Sequence, residues 1–327
     1  MLHIVNGDCT LRLLEATDLP GVFYSGDDIL VEGPSCNCLR TGDDWQHRAA
    51  YLEEKFGIPH RTYMQRTRDT RSLCWEFEHS DETVLWFEED LFCQINLIYL
   101  LDWLSRGDIE NTRLSLVCPA EERLGELTPA ALAALFEQRE VVTKARYALA
   151  SAAWQAYCSP DPTAVEKLLQ DDFSVWPLLR RGLMSHLERF PSVKNGLNVV
   201  EQEILSVLAA GPQTLPEMFH QLSQRERVRS HGMGDLQAMR YVLDLSQGER
   251  PLVVIAGFNG LPAFDEAHRE FMEWHLEITD TGRAVAAGAE DFARITPLDR
   301  WLGGVHLQSD SPLWRWDEVV RQLVFGG

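Results

Sequence analysis

The stretch from Asp90 to Leu104 leaves this chain few ways to fold. Leu91, Phe92, Ile95, Leu97, Ile98, Leu100, Leu101, Trp103 and Leu104 cover most of the circumference of a helix, and Asp90 is placed to cap its start. A helix that is apolar on nearly every side has to pack inside a domain, since exposing its large side chains would forgo roughly 1.5–3 kcal/mol each. The β-type runs before and after it, Thr83 to Phe87 and Leu114 to Cys118, predict that it packs against a sheet.

The same alternation begins at the first residues. Leu2 to Val5 reads as a strand that breaks at Asn6-Gly7-Asp8 and enters a helix over Thr10 to Ala16, with Leu11, Leu13 and Leu14 as its apolar positions. A second extended run, Gly21 to Tyr24, leads through Gly26-Asp27-Asp28 to a third, Ile29 to Val31, which stops at Glu32-Gly33-Pro34. Asp43 to Phe56 has helical spacing and Leu73 to Phe77 the spacing of a strand. The expectation is a Rossmann-like α/β domain over residues 1–125 with a small mixed or parallel sheet, beginning with a βαβ unit.

Beyond Pro119 the character changes. Helical patterns occupy Pro129 to Glu137 (with Thr128 as cap), Val141 to Tyr157, Pro162 to Leu169 and Trp176 to Phe190, a helical connector over 126–194. After Phe190-Pro191 and Asn195-Gly196 come three amphipathic helices, Val199 to Leu208, Leu215 to Leu222 and Leu236 to Leu245. Extended runs at Leu252 to Ile255 and His275 to Thr279 follow. Three helices and then a two-stranded ribbon is the order of a winged helix, so 195–327 is read as a winged-helix-like module ending in an aromatic segment. A chain of 327 residues accommodates two or three such modules.

Charge narrows the partners. The formal net charge of −20 repels polyanions, which disfavours nucleic acid, and leaves a protein partner, for instance a basic one, as the plausible class. Within Lys194 to Arg294 nine basic residues face fifteen acidic ones. The helix that would read DNA carries Asp235, Arg240 and Asp244, and Arg225-Glu226-Arg227-Val228-Arg229 is the sole basic run of that region. Seven scattered cysteines and no signal peptide point to reduced thiols and a cytoplasmic location, and Cys36-Asn37-Cys38 has no second pair at zinc-ligand spacing. The longest apolar stretch, Leu97 to Leu101, is far short of a membrane span.

The candidate ligand-binding residues gather at predicted turns. Asn6-Gly7-Asp8 lies where a first strand meets a helix, a position at which α/β proteins hold anions on backbone N–H groups; a plain turn with an Asp helix cap fits it equally. Asp27, Asp28 and Glu32 beside Gly33-Pro34, with Glu88, Glu89 and Asp90 at a second turn, supply carboxylates. Converging with Asp8, these would suit Mg²⁺ or Mn²⁺; apart, they are caps and solvated charges. Gln94, one turn into the apolar helix, needs a hydrogen-bonding partner there. Arg61, Arg66, Arg68 and Arg71 around Tyr63 form either a phosphate-facing or a solvated loop. Near the end, Gly303-Gly304 permits a close approach of backbone or ligand, and His306 is a secondary acid/base candidate among Trp301, Trp314 and Trp316. No nucleophile elbow, Walker loop or His-Glu-x-x-His is present.

Three segments in order, His3-Ile4-Val5-Asn6-Gly7-Asp8, Asp28-Ile29-Leu30-Val31-Glu32-Gly33-Pro34 and Trp86-Phe87-Glu88-Glu89-Asp90-Leu91-Phe92-Cys93-Gln94, resemble a bacterial family catalogued as domain of unknown function number eighteen thirty-five. The likeness covers roughly the first 120 residues. Asp299 to Leu307 and Trp314 to Asp317 look like the C-terminal region that accompanies it. The resemblance implies no activity, cofactor or catalytic residue. Cys9 stands where the family pattern has serine, and Tyr24-Ser25 where a Trp-Arg-like pair is common, so a ligand touching those positions would be held differently here. The functional expectation is a binding or regulatory protein, its α/β module taking a small polar or phosphorylated ligand and its C-terminal module contacting protein. The alternatives are a metal-dependent hydrolase or phosphoryl-transfer enzyme built on Asp8, Asp28, Glu32 and Asp90, and a DNA-binding regulator.

Overall fold

Four strands lie parallel in one sheet because each is followed by a helix that carries the chain back over a face. The computed structural model describes residues 1–26, 28–36, 42–106, 113–258 and 271–326, with backbone alone for 42–44, 68–72, 74 and 75. In chain order come β1 (Leu2–Val5), α1 (Asp8–Glu15), β2 (Val22–Ser25), α2 (Gly42–Phe56), α3 (His60–Glu78), β3 (Glu82–Trp86), α4 (Leu91–Leu104), β4 (Arg113–Val117), α5 (Pro129–Glu137) and β5 (Glu140–Val141). The sheet order is β2-β1-β3-β4-β5, with β5 antiparallel to β4.

Period-two alternation sorts the side chains between the two faces. Val5, Val84, Trp86 and Val117 turn toward Leu14 of α1 and Leu132 and Phe136 of α5. Leu2, Ile4, Leu85, Phe87, Leu114 and Leu116 turn to the opposite face, where α4 lies. His3 is fully buried on the first face: Trp86 Nε1 donates to its Nδ1 at 3.1 Å, and its Nε2 lies 3.1 Å from the Pro20 carbonyl. With Nδ1 accepting, Nε2 carries the proton, and burial holds the ring's pKa below the usual histidine value.

The all-round apolar helix is α4, capped by Asp90 accepting from Cys93 N at 2.8 Å and buried as its composition demands. It is sandwiched between the sheet and two helices of the following segment, α6 (Lys144–Tyr157) and α8 (Pro177–Leu187), with α7 (Thr163–Leu168) between them in sequence. Two extended runs read from the sequence are something else. Leu73 to Phe77 is the last part of α3, where Leu73 and Phe77 are buried one turn apart. Ile29 to Val31 is a buried turn.

The C-terminal region runs α9 (Val199–Leu208), β6 (Gln213–Thr214), α10 (Leu215–Ser223), α11 (Glu226–Arg229), α12 (Asp235–Leu245), β7 (Val253–Ala256) and β8 (His275–Ile278). Capping boxes fix two of these starts, Asn198 with Glu201 and Thr214 with Glu217. The ribbon gains a strand that the sequence did not reveal, giving the antiparallel order β6-β8-β7. Next come α13 (Asp280–Ala286), α14 (Phe292–Ile295) and two hairpins, β9 (Asp299–Leu302) with β10 (Val305–Gln308) and β11 (Trp314–Asp317) with β12 (Gln322–Phe325).

The Gly303-Gly304 turn of the first hairpin lies against the end of α6, and Gly304 N donates to Tyr157 O at 2.9 Å. A Cβ on either glycine would fall 2.3 or 2.1 Å from a carbonyl oxygen of Tyr157 or Cys158, so the pair serves a backbone contact. One cluster of buried apolar side chains extends from Leu2 to Leu323. Among the described residues no helix is long and apolar enough to cross a membrane.

Candidate functional site

In an open parallel sheet, ligands settle at the carboxyl ends of the strands, where the strand order reverses. Here the chain leaves β1 for β2 on one side and later returns for β3 on the other, so the reversal lies between β1 and β3. Three of the candidates named from the sequence, Asn6, Asp28 and Asp90, are linked along this edge through Cys93 and Asn96, with Gln94 beside them. Asn6 Nδ2 donates to Cys93 Sγ at 3.0 Å, and Asn96 Nδ2 donates to Asn6 Oδ1 and to Asp28 O, both at 2.8 Å. Asp90 accepts from Cys93 N, and Gln94 Nε2 donates to Glu88 O at 2.8 Å and to Cys118 Sγ at 3.6 Å. Gln94 Oε1 and Asn96 Oδ1 are buried without a partner. Gly7, at φ 115°, and the exposed Asp8 form the rim where α1 begins.

Asp28 and Glu32 belong to a turn whose carbonyls are nearly all claimed by side chains from distant elements. Arg48, fully buried on α2, donates to Ile29 O (2.6 Å), Glu32 O (2.7 Å), Pro34 O and Asp28 Oδ1 (both 3.3 Å) and Tyr63 Oη (2.8 Å). Tyr63 Oη in turn donates a hydrogen bond to Asp28 Oδ2 at 2.7 Å, and burial raises its pKa and keeps it a donor. Tyr157 donates to Leu30 O at 2.9 Å, and Arg189 to Val31 O and, at 2.6 Å, to Glu32 Oε1. Gln237 of α12 donates to the same Glu32 oxygen, Oε1, at 3.0 Å. Both carboxylates help to hold this turn between the sheet and the C-terminal helices.

The exit of β3 is closed by the chain itself. Leu91 N and Phe92 N, the free donors at the start of α4, give their hydrogens to Ser230 O (2.8 Å) and His231 O (3.3 Å). Gly232 presses on Asp90 so closely that a Cβ there would lie 2.1 Å from Oδ1. Glu88 Oε1 accepts from Leu124 N at 2.9 Å; burial, with the Asp90 charge beside it, pushes its carboxyl up to about 7. Glu89 pairs with Arg181. Among the described residues no three His, Cys, Asp or Glu side chains are grouped to hold a metal ion. The convergence that a metal-dependent enzyme would need from Asp8, Asp28, Glu32 and Asp90 is therefore not formed: one is on the rim, two are caged by arginines and one caps a helix. Asp27 lies outside the described residues.

Open space lies one strand further along. At the carboxyl end of β4 is a cavity of about 390 Å³, bounded by Cys118, Leu135, Glu140, Arg146, Trp176 and Leu178 among others. β5 folds back antiparallel to β4, and Thr143 caps α6 immediately after it, which sets Arg146 on the first turn beside the strand end. Pro177 opens α8 and leaves Trp176 just ahead of the helix. Arg146 Nε donates to Val175 O at 3.0 Å and Nη2 pairs with Glu140. Trp176 is 3% exposed, and its indole N–H meets no acceptor. No sequence motif links these residues, because they belong to or adjoin five separate elements; a tryptophan directly before a helix-opening proline was the available signal.

The remaining candidates have quieter settings. His306 Nε2 lies 2.7 Å from Asp299 Oδ1 and its ring stacks on Trp301 with centroids 4.2 Å apart, a surface pair on the β9–β10 hairpin. Arg61 and Arg66 lie on helix α3 and not on a loop, and the side chains of Arg68 and Arg71 lie outside the described residues. Arg225 and Arg227 pair with Glu203, Arg227 also with Glu318, and Arg229 donates to Glu121 O. Cys36 is disulfide-bonded, which departs from the expectation of wholly reduced thiols, whereas Cys9, Cys93, Cys118 and Cys158 are free. No family model matches the chain, and no curated protein matches it.

Proposed function

We propose that this chain is a binding or regulatory protein whose α/β module takes a small polar or phosphorylated ligand and whose C-terminal module contacts protein. The observation that carries the ligand half is the cavity of about 390 Å³ at the carboxyl end of β4, within the size range of small-molecule sites and on the edge of the sheet where ligands bind. The turn residues shared with the family numbered eighteen thirty-five then act as the frame that fixes this edge, and membership of that family is part of the proposal.

The C-terminal module is read as a winged helix, supported by the order α9, β6, α10, α12, β7, β8 and the sheet order β6-β8-β7. Its α12 faces inward: Gln237 reaches Glu32, and Arg240 donates to Lys55 O at 3.0 Å. With that helix occupied and the arginines of 225–229 engaged, the reading favours protein contact over DNA.

Native mass spectrometry of the purified chain, followed by thermal-shift titration of nucleotides, sugar phosphates and small carboxylates, tests the ligand half. Ala120, exposed at the rim of the cavity, provides the control, because Ala120→Trp fills the space from outside. Stabilisation of the wild type that Ala120→Trp abolishes supports the proposal. Absence of any ligand, or binding indifferent to Ala120→Trp, overturns it.

A further inference from the structure

We infer that residues 118–127, the loop from β4 to α5, form a pH-responsive wall of the β4 cavity, firm while Glu88 is neutral and loosened when Glu88 takes its charge. This rests on the proposal that the cavity is a ligand site and adds how its wall is controlled.

Cys118, Pro119, Ala120 and Glu122 of the loop bound the cavity. Few bonds hold that stretch. Among the described residues no amide from Ala120 to Arg123 donates a hydrogen bond, and Arg229 Nη2 reaches Glu121 O at 2.8 Å. The firmer hold comes further on. Leu124 N donates to Glu88 Oε1 at 2.9 Å, the Gly125 amide bonds to the same carboxyl, and the Leu124 side chain is buried in one cluster with Val5 and Leu14. A segment with so few backbone bonds opens by local unfolding well before the domain does, and the Glu88 contact is the part of its hold that changes charge.

Among the described residues Glu88 has no cation at ion-pair distance. Its neighbours are Asp90 and Glu89 on its own turn, Arg123 from the loop, the Cys93 thiol of α4 and, across Gly125, Cys9 of α1; Glu89 is already paired with Arg181 of α8. Burial and then the Asp90 charge favour the neutral acid, whose carbonyl oxygen still accepts from Leu124 N. The two amides and Arg123 favour the anion less strongly, so the carboxyl is held up to about 7. An opened loop returns the side chain to water and to its ordinary value of 4.5. The closed wall is therefore most favoured at low pH and loses ground as pH rises, and its open fraction grows about tenfold from pH 6 to pH 8.

Hydrogen–deuterium exchange of the full chain at pH 6, 7 and 8, divided by the intrinsic rate at each pH, reads the loop directly. Protection of the Leu124 and Gly125 amides should fall about tenfold across that range, while the β11–β12 hairpin keeps its own. Glu88→Gln retains an acceptor for Leu124 N and cannot ionise, so its loop should be equally protected at all three pH values. Asp90→Asn preserves the helix cap and removes the like charge, and should shrink the decline.

Unchanged protection at pH 8, or a decline that Glu88→Gln shares, overturns the inference. Should Glu88→Gln fail to fold, Asp90→Asn decides, and a decline as steep as in the wild type overturns it. A compound whose binding Ala120→Trp abolishes, on a chain whose loop ignores pH, leaves the proposed function standing without this control. A loop that responds in a chain that binds no compound upholds the pH response of the wall and removes the ligand half of the proposed function.

Discussion

Replacing Arg48 by methionine should unfold the centre of the molecule rather than switch off a ligand site. The side chain is fully buried and donates to Tyr63 Oη, to Asp28 Oδ1 and to the carbonyls of Ile29, Glu32 and Pro34. Methionine preserves much of the packing volume and removes every donor. Stripping one partner from a buried ion pair costs about 3–5 kcal/mol, and carbonyls left without donors add to it, while Asp28, with 18% of its side chain exposed, regains some water. An expected loss of about 4 kcal/mol is a large part of the roughly 5–15 kcal/mol that holds a domain together. Equilibrium urea unfolding followed by tryptophan fluorescence measures it. Tyr63→Phe, which removes one hydroxyl from the same network, should cost about 1–3 kcal/mol, and the double variant less than the sum, because the two share Asp28. An Arg48→Met protein within about 1 kcal/mol of wild type, yet unable to bind its ligand, would refute the reasoning and return the Asp28-to-Pro34 turn to the status of a ligand site.

Three further outcomes follow from the same contacts. Gly232→Ala drives a Cβ into Asp90 at a residue with φ 62°, and should cost about 1–3 kcal/mol from the left-handed backbone alone, with the clash in addition, in the same urea assay. Because Glu88 is held up to about 7, its contribution to stability is full below its unfolded value near 4.5 and is lost as pH rises through about 7; Glu88→Gln should flatten that decline in unfolding midpoints taken between pH 5 and pH 8. His186 is pushed the other way, down to about 3 by burial and the nearby Arg189 charge, so its contribution is full above 6.5 and drains away by about 1.4 kcal/mol per unit as pH falls toward 3. His186→Phe, which keeps the ring contacts with Tyr157 and Phe190, should show a shallower acid limb than wild type.

Much of the fold is legible where local pattern and tertiary demand agree. Asp90 and the apolar helix behind it, the Thr128-Pro129 helix start and the span Val199 to Leu208 are all as the periodicity implies, because capping and one-sided burial are decided within a few residues. Leu73, Trp75 and Phe77 mimic a strand by alternating, and what overrides them is the burial of Leu73 and Phe77 on one side of α3. The Ile29-to-Val31 run misleads for a different reason. Its backbone is satisfied by Arg48, Tyr157 and Arg189, 19 to 158 residues away, which no local window contains.

The same holds at the site. Asn6, Asp28 and Asp90 are linked through Cys93 and Asn96 into a frame, while the Gln94 side chain turns to Glu88 O and Cys118. The open space is set by Cys118, Leu135, Arg146 and Trp176, which no motif links. Net charge says nothing of where one half-buried arginine, Arg146, comes to lie.

The central claim is that the functional opening lies at the end of β4 and not at the Asn6-Gly7-Asp8 turn. The most direct test is a crystal structure of the chain grown with the compound that gives the largest thermal shift. That compound is expected in the β4 cavity, along Leu135 and Leu178 and beside Arg146. The same compound seated instead on the backbone at Gly7 and Asp8, with the β4 cavity holding water alone, would contradict the claim.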